Sequence, residues 1–157
     1  MMNRPVIFLD FDGVLNTEQY QARLAIDGKP NKDAWGSLFD PRAVENLRRI
    51  LDATDAAIVI SSSWRWVHHL GSLRMMWEVR ELPGEIIDTI PCGATHISRG
   101  EEIECWLDKH GRPDYVIIDD IDDFYQAQHD RYVETNPIVG ITEADAQKAI
   151  EILNSKA

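Results

Sequence analysis

Val6-Ile7-Phe8-Leu9-Asp10-Phe11-Asp12-Gly13 is the stretch whose reading decides the fold of this chain. Four consecutive apolar residues suit a short strand covered on both faces, as in a parallel sheet. The strand then runs straight into two acids and a glycine. The same arrangement returns twice: Ala56 to Ile60 leads into Ser61-Ser62-Ser63, and Tyr115 to Ile118 leads into Asp119-Asp120, with Asp122-Asp123 beyond. Amphipathic stretches separate these runs, so the alternation predicts an α/β fold with a Rossmann-like parallel sheet flanked by helices on both faces. In such a sheet the C-terminal ends of all strands share one edge, where ligands bind. The chain therefore gathers acids and hydroxyls at one place.

Further elements follow from local signals. A strand is expected over Ile86 to Ile90, and a weaker strand signal covers Tyr132 to Thr135. Asp40 and Pro41 read as N-cap and first position of a helix that ends near Asp52. Gly71-Ser72 marks a break, with Ser72 capping a piece that carries Leu73, Met76 and Trp77 on one side. Ser98 and Glu101 have capping-box spacing before a helix that ends at Gly111. Thr142 caps the last helix. Asn16 to Phe39, rich in turn formers, reads as an excursion rather than a long regular element. The room there and between Ser63 and Ile86 is too small for a large cap domain.

Length and charge narrow the function. A chain of 157 residues with 44% hydrophobic residues and 8% aromatics suits a single globular domain over residues 1–157. Sixteen Lys and Arg against 27 Asp and Glu leave a net charge of −11, which disfavours delocalised nucleic-acid binding. Cys92 and Cys105 lack any C-x-x-C spacing and read as buried thiols in a reducing compartment. No apolar run reaches the ~18 residues of a membrane span, and no signal-peptide core is present, so the chain reads as cytoplasmic. Glycine-rich nucleotide loops and H-E-x-x-H are absent. An EF-hand starting at Asp10 fails, because Leu15 stands where glycine is required and Gln21 where glutamate is required. Trp64, Trp66, Trp77 and Trp106 read as core or helix-face aromatics, Trp35 as a possible surface for a base, and His68-His69 as solvent-facing.

Taken singly, Asp-x-Asp-Gly is a surface turn and a serine run a helix cap. Their shared position after buried strands makes them a candidate site. Crowded carboxylates repel one another, and a hard divalent cation with oxygen ligands relieves that repulsion; Mg2+ suits it because it pairs carboxylates with a substrate phosphate. Asp10 is then the candidate nucleophile toward phosphorus, and Asp12 the acid and base for the leaving group and for water. Ser61 and backbone N–H groups would hold phosphoryl oxygens. Gly13, Asn16, Ser62 and Arg65 join the candidate substrate-binding set. One cation should complete the cradle, and both Arg99, at the start of the capping-box helix, and Arg65, just after the serines, meet that description.

These motifs, in this order from residue 6 to 120, resemble the haloacid dehalogenase (HAD) superfamily of phosphohydrolases. The resemblance implies a HAD-like fold, Asp10 as nucleophile, Asp12 as acid/base, Ser61 as the second motif, Arg99 as the basic residue, and Asp119 and Asp120 as the acidic pair. It further implies magnesium held by Asp10, the Asp12 carbonyl and chiefly Asp120. Val14 stands where the superfamily commonly has Thr, and arginine where lysine is more frequent. More narrowly, Asp12-Gly13-Val14-Leu15-Asn16, Ser61-Ser62-Ser63-Trp64-Arg65 and Gly140-Ile141-Thr142 resemble the HAD domains of Swiss Army Knife RNA repair proteins. The expected partner is a phosphorylated substrate: a nucleic-acid end, a nucleotide or another phosphomonoester. The alternative is a catalytically silent phosphate-binding or scaffold module of the same fold.

Overall fold

The computed structural model of the protein describes residues 4–91 and 97–155. Strands β1 (Val6–Leu9), β2 (Ala57–Ile60), β3 (Ile86–Thr89), β4 (Tyr115–Asp119) and β5 (Tyr132–Glu134) form one parallel sheet in the order β3-β2-β1-β4-β5. Helices α1 (Glu18–Ile26), α2 (Pro41–Thr54), α3 (Leu70–Val79), α4 (Arg99–Lys109) and α5 (Glu143–Asn154) complete it. The Rossmann-like α/β expectation is met. The chain builds outward from β1 through β2 to β3, then returns to place β4 on the other side of β1. That reversal between β1 and β4 is where neighbouring loops splay apart and leave room for a ligand.

Strand alternation divides the core. Ile7, Leu9, Ile58, Ile60, Val116 and Ile118 face one side and pack with Leu47 and Ile50 of α2, Met76 of α3 and Leu153 of α5. Val6, Phe8, Val59 and Ile117 face the other and pack with Ile103, Trp106 and Leu107 of α4. All of these side chains are buried, each contributing about 1.5–3 kcal/mol for the larger ones. The Trp106 ring meets Phe8 edge-on at 5.4 Å, a favoured aromatic geometry. Layers on both faces leave only the strand ends for chemistry. No helix among the described residues is long and apolar enough to cross a membrane.

The structure departs from the local expectations at five points. The Asn16 to Phe39 excursion contains α1: Thr17 caps it by accepting from Tyr20 N–H, and Glu18 to Ile26 is rich in good helix formers that outweigh a weak apolar face. The α3 cap is His69, whose ring nitrogen accepts from Ser72 N–H, so Gly71-Ser72 lies inside the first turn. Trp66 and Cys105 are exposed, while Cys92 lies outside the described residues. His68 is half-buried with Nε2 2.9 Å from the Trp35 carbonyl, and only His69 of that pair is exposed.

Candidate active site

The register Leu9↔Ile60 and Leu9↔Ile118 sets the next residues, Asp10, Ser61 and Asp119, level with one another at the C-terminal edge. Backbone bonds keep them there: Asp10 N–H donates to the Ile118 carbonyl at 3.1 Å and Ser61 N–H to the Leu9 carbonyl at 3.0 Å. Asp10, Asp119 and Asp120 each bring a carboxylate oxygen within 4.8 Å of the others. Gly13 makes this approach possible. It adopts φ +78°, and a Cβ at that position would collide with the Asp120 carboxylate, so the turn after β1 and the turn after β4 close together only around a glycine. The Thr135 hydroxyl, at the end of β5, holds the Gly13 carbonyl at 2.8 Å.

Arg99 is the cation that meets this cluster. As the first residue of α4 it reaches Asp119 Oδ2 at 2.8 Å and Asp10 Oδ1 at 3.6 Å through Nη1. Ser98 caps the helix by accepting from Glu101 N–H, and Asp123 Oδ2 accepts from Arg99 N–H at 2.8 Å. Asp123 thus helps seat Arg99. Burial works against the Arg99 cation, but Asp119 and Asp10 hold its proton above the usual arginine range. Burial, then repulsion from Asp119, raises the Asp10 carboxyl to about 8 against the pull of Arg99. Burial and Asp119 also raise Asp120.

The remaining candidates have other partners. Asp12 is exposed and stands apart from the three-carboxylate cluster, because Phe11 turns into the core and the chain reverses at Gly13. Its Oδ1 accepts from Asn16 Nδ2 at 2.7 Å and from Trp64 Nε1 at 3.2 Å. Asn16 is buried and its carboxamide is engaged inside this turn, also accepting from Gly13 N–H, so it positions Asp12 rather than facing a ligand. The Ser62 hydroxyl is likewise buried and accepts from Trp64 N–H. Arg65, the rival phosphate clamp in the sequence, is committed elsewhere. It is buried, donates to the Ser61 and Ser62 carbonyls at 2.6 and 2.9 Å, and pairs with Glu102 at 2.5 Å. Glu102, unremarked in the sequence reading, had a signal: it sits four residues before Trp106 on the buried stripe of α4, where a lone acid requires a partner.

Ser61 is different. Its hydroxyl is fully buried and has no hydrogen-bond partner among the described residues. A buried orphan hydroxyl costs ~1–3 kcal/mol unless something fills its valence. Hard oxygen donors crowded within one ion's reach, two of them with acidity suppressed, fit a magnesium ion, and the Ser61 hydroxyl fits an anionic oxygen beside it. Asp10 also couples folding stability to pH. Its folded-state value lies above the ordinary 3.8, so without metal the folded protein keeps a proton that the unfolded chain has released. That contribution to stability is present below pH ~4 and is lost as pH rises toward 8. A magnesium ion held by this cluster would take the place of the proton, so the rise in melting temperature caused by magnesium over chelator should grow between pH 5 and 8. Thermal melts in both buffers test this, and a difference that shrinks with pH contradicts it.

A family model described as the HAD domain in Swiss Army Knife RNA repair proteins matches residues 6–146. That span takes in β1 through the first turn of α5 and every candidate site residue. No curated protein matches the chain.

Proposed function

The chain belongs to the HAD domains of the Swiss Army Knife RNA repair family, and from that premise we propose that it is a magnesium-dependent phosphomonoester hydrolase working through an aspartyl-phosphate on Asp10. HAD membership supports phosphohydrolase chemistry in general. The observation that carries the finer reading is the meeting of the buried Asp10 and Asp119 carboxylates and the half-buried Asp120 carboxylate with Arg99, level with the Ser61 hydroxyl, which has no partner among the described residues.

Magnesium, held by Asp10, Asp120, the Asp12 carbonyl and Asp119, would supply positive charge that keeps Asp10 ionised and neutralises phosphoryl oxygens. Asp10 attacks phosphorus through a carboxylate oxygen, and the bond from phosphorus to the ester oxygen breaks. Asp12, exposed and held through one carboxylate oxygen by Asn16 and Trp64, gives its proton to that departing oxygen. It next takes a proton from the water that attacks the phosphoryl-Asp10, and the bond from Asp10 to phosphorus breaks to release inorganic phosphate. The Ser61 hydroxyl donates to a phosphoryl oxygen throughout, and Arg99 offers its charge to another. p-Nitrophenyl phosphate tests the reading: it should be hydrolysed with magnesium and not with chelator. Absence of turnover in magnesium would favour the silent phosphate-binding module instead.

A further inference from the structure

Next to Asp12 lies a cleft of about 500 Å3 that the chemistry above leaves unused. Trp35, Trp64 and Trp66 line it together with Ser37 and Ser63. Its walls are fixed from behind. Trp64 Nε1 donates to Asp12, Trp35 Nε1 donates to Ser72 Oγ at 3.2 Å, and the Arg65 guanidinium carbon lies 5.5 Å from the centre of the Trp66 ring. Gly36 sits so close to Trp64 that a Cβ there would come within 2.8 Å of the ring. Yet Trp66 remains 66% exposed, so this ring is held in place without being part of the core.

The geometry points to this cleft as the seat of the leaving group, and to a single nucleobase as what it takes. The inference rests on the phosphatase reading, in which Asp12 protonates the departing oxygen. Whatever carries that oxygen must leave past Asp12, and Asp12 itself lines the cleft. Three indole rings favour a flat ring that can lie against them. The cleft is lined by no Lys or Arg among the described residues, and the chain carries a net charge of −11. An uncharged ring therefore suits it better than a run of polyanionic backbone. Phosphotyrosine also ends in a flat ring, but a phenyl ring has no hydrogen-bonding edge, whereas a base presents donors and acceptors that the Ser37 and Ser63 hydroxyls can meet. The occupant is thus the nucleoside bearing the phosphate, and the rest of a strand lies outside.

Binding and turnover read this separately. Tryptophan fluorescence of the intact chain should be quenched saturably by adenosine and not by ribose. Trp66→Ala should weaken adenosine binding about tenfold or more, and Trp66→Phe should recover most of it. With magnesium, kcat/KM for adenosine 3′- or 5′-monophosphate should exceed that for ribose 5-phosphate by about tenfold or more. That ratio should fall toward one in Trp66→Ala and persist in Met75→Ala, whose exposed side chain does not line the cleft. Unsaturable quenching, a ratio near one in the wild type, or a preference for phosphotyrosine overturns the inference while leaving the phosphatase reading intact. Saturable, Trp66-dependent quenching with no turnover of any ester overturns the phosphatase reading and keeps the base site.

Discussion

Asp10→Asn is expected to abolish hydrolysis of p-nitrophenyl phosphate, by roughly 10⁴-fold or more, while the fold persists. Asparagine keeps the shape of the side chain and removes the nucleophilic charge, so no phosphoryl group can be accepted at residue 10. The stability readout runs the other way from an ordinary core lesion. Burial and Asp119 oppose ionisation of Asp10, which means that near neutral pH the metal-free protein keeps this group protonated at a cost the unfolded chain does not bear. The metal-free variant should therefore melt at the wild-type temperature or above it at pH 8, and magnesium should stabilise it less than wild type. Beryllofluoride with magnesium should stabilise wild type only. An Asp10→Asn protein that keeps half its rate ends the covalent mechanism.

The parts of this site that the sequence displays are those fixed by backbone position. Apolar quartets followed by acids or serines place Asp10, Ser61 and Asp119 at strand ends, and parallel register does the rest, so their meeting is legible without coordinates. What side chains do after that depends on long-range packing. Arg65 and Arg99 are indistinguishable by composition, and their fates separate only because Glu102, three residues beyond Arg99, turns into the interior and captures Arg65. Asn16 reads equally as a ligand or a turn residue until its bond to Asp12 is seen. The α1 helix is masked by turn formers on its C-terminal side that make the whole excursion look irregular, although Thr17 and the residues after it carry a helix signal of their own. Trp66 is illegible for a related reason: tryptophan is usually buried, and only the turn after Ser62 decides which way this one faces.

The contrast between the two arginines yields the second large effect. Arg99→Ala should lower kcat/KM for a phosphate ester by about 10²–10³, the loss typical of removing one charge-stabilising group. Arg99 begins a helix, where a positive charge is disfavoured by ~0.3–1 kcal/mol, and it stays because Asp119 and Asp10 attract it. Without it, the metal-free cluster of three carboxyl groups loses the cation that pairs with it among the described residues, so the melting temperature should drop. Magnesium should then raise that temperature by more than it does in wild type, because the ion becomes the cluster's main counter-charge. Arg65→Ala should behave in the opposite sense. It strands Glu102, which is buried with it, and should cost about 3–5 kcal/mol of folding stability that magnesium does not restore. Well below its melting temperature it should retain far more kcat/KM than Arg99→Ala, and Arg65→Lys provides the comparison if the alanine variant does not fold. Should either Arg65 variant, folded, lose more kcat/KM than Arg99→Ala, the phosphate-facing cation is Arg65, and α4 contributes Glu102 rather than Arg99 to the site.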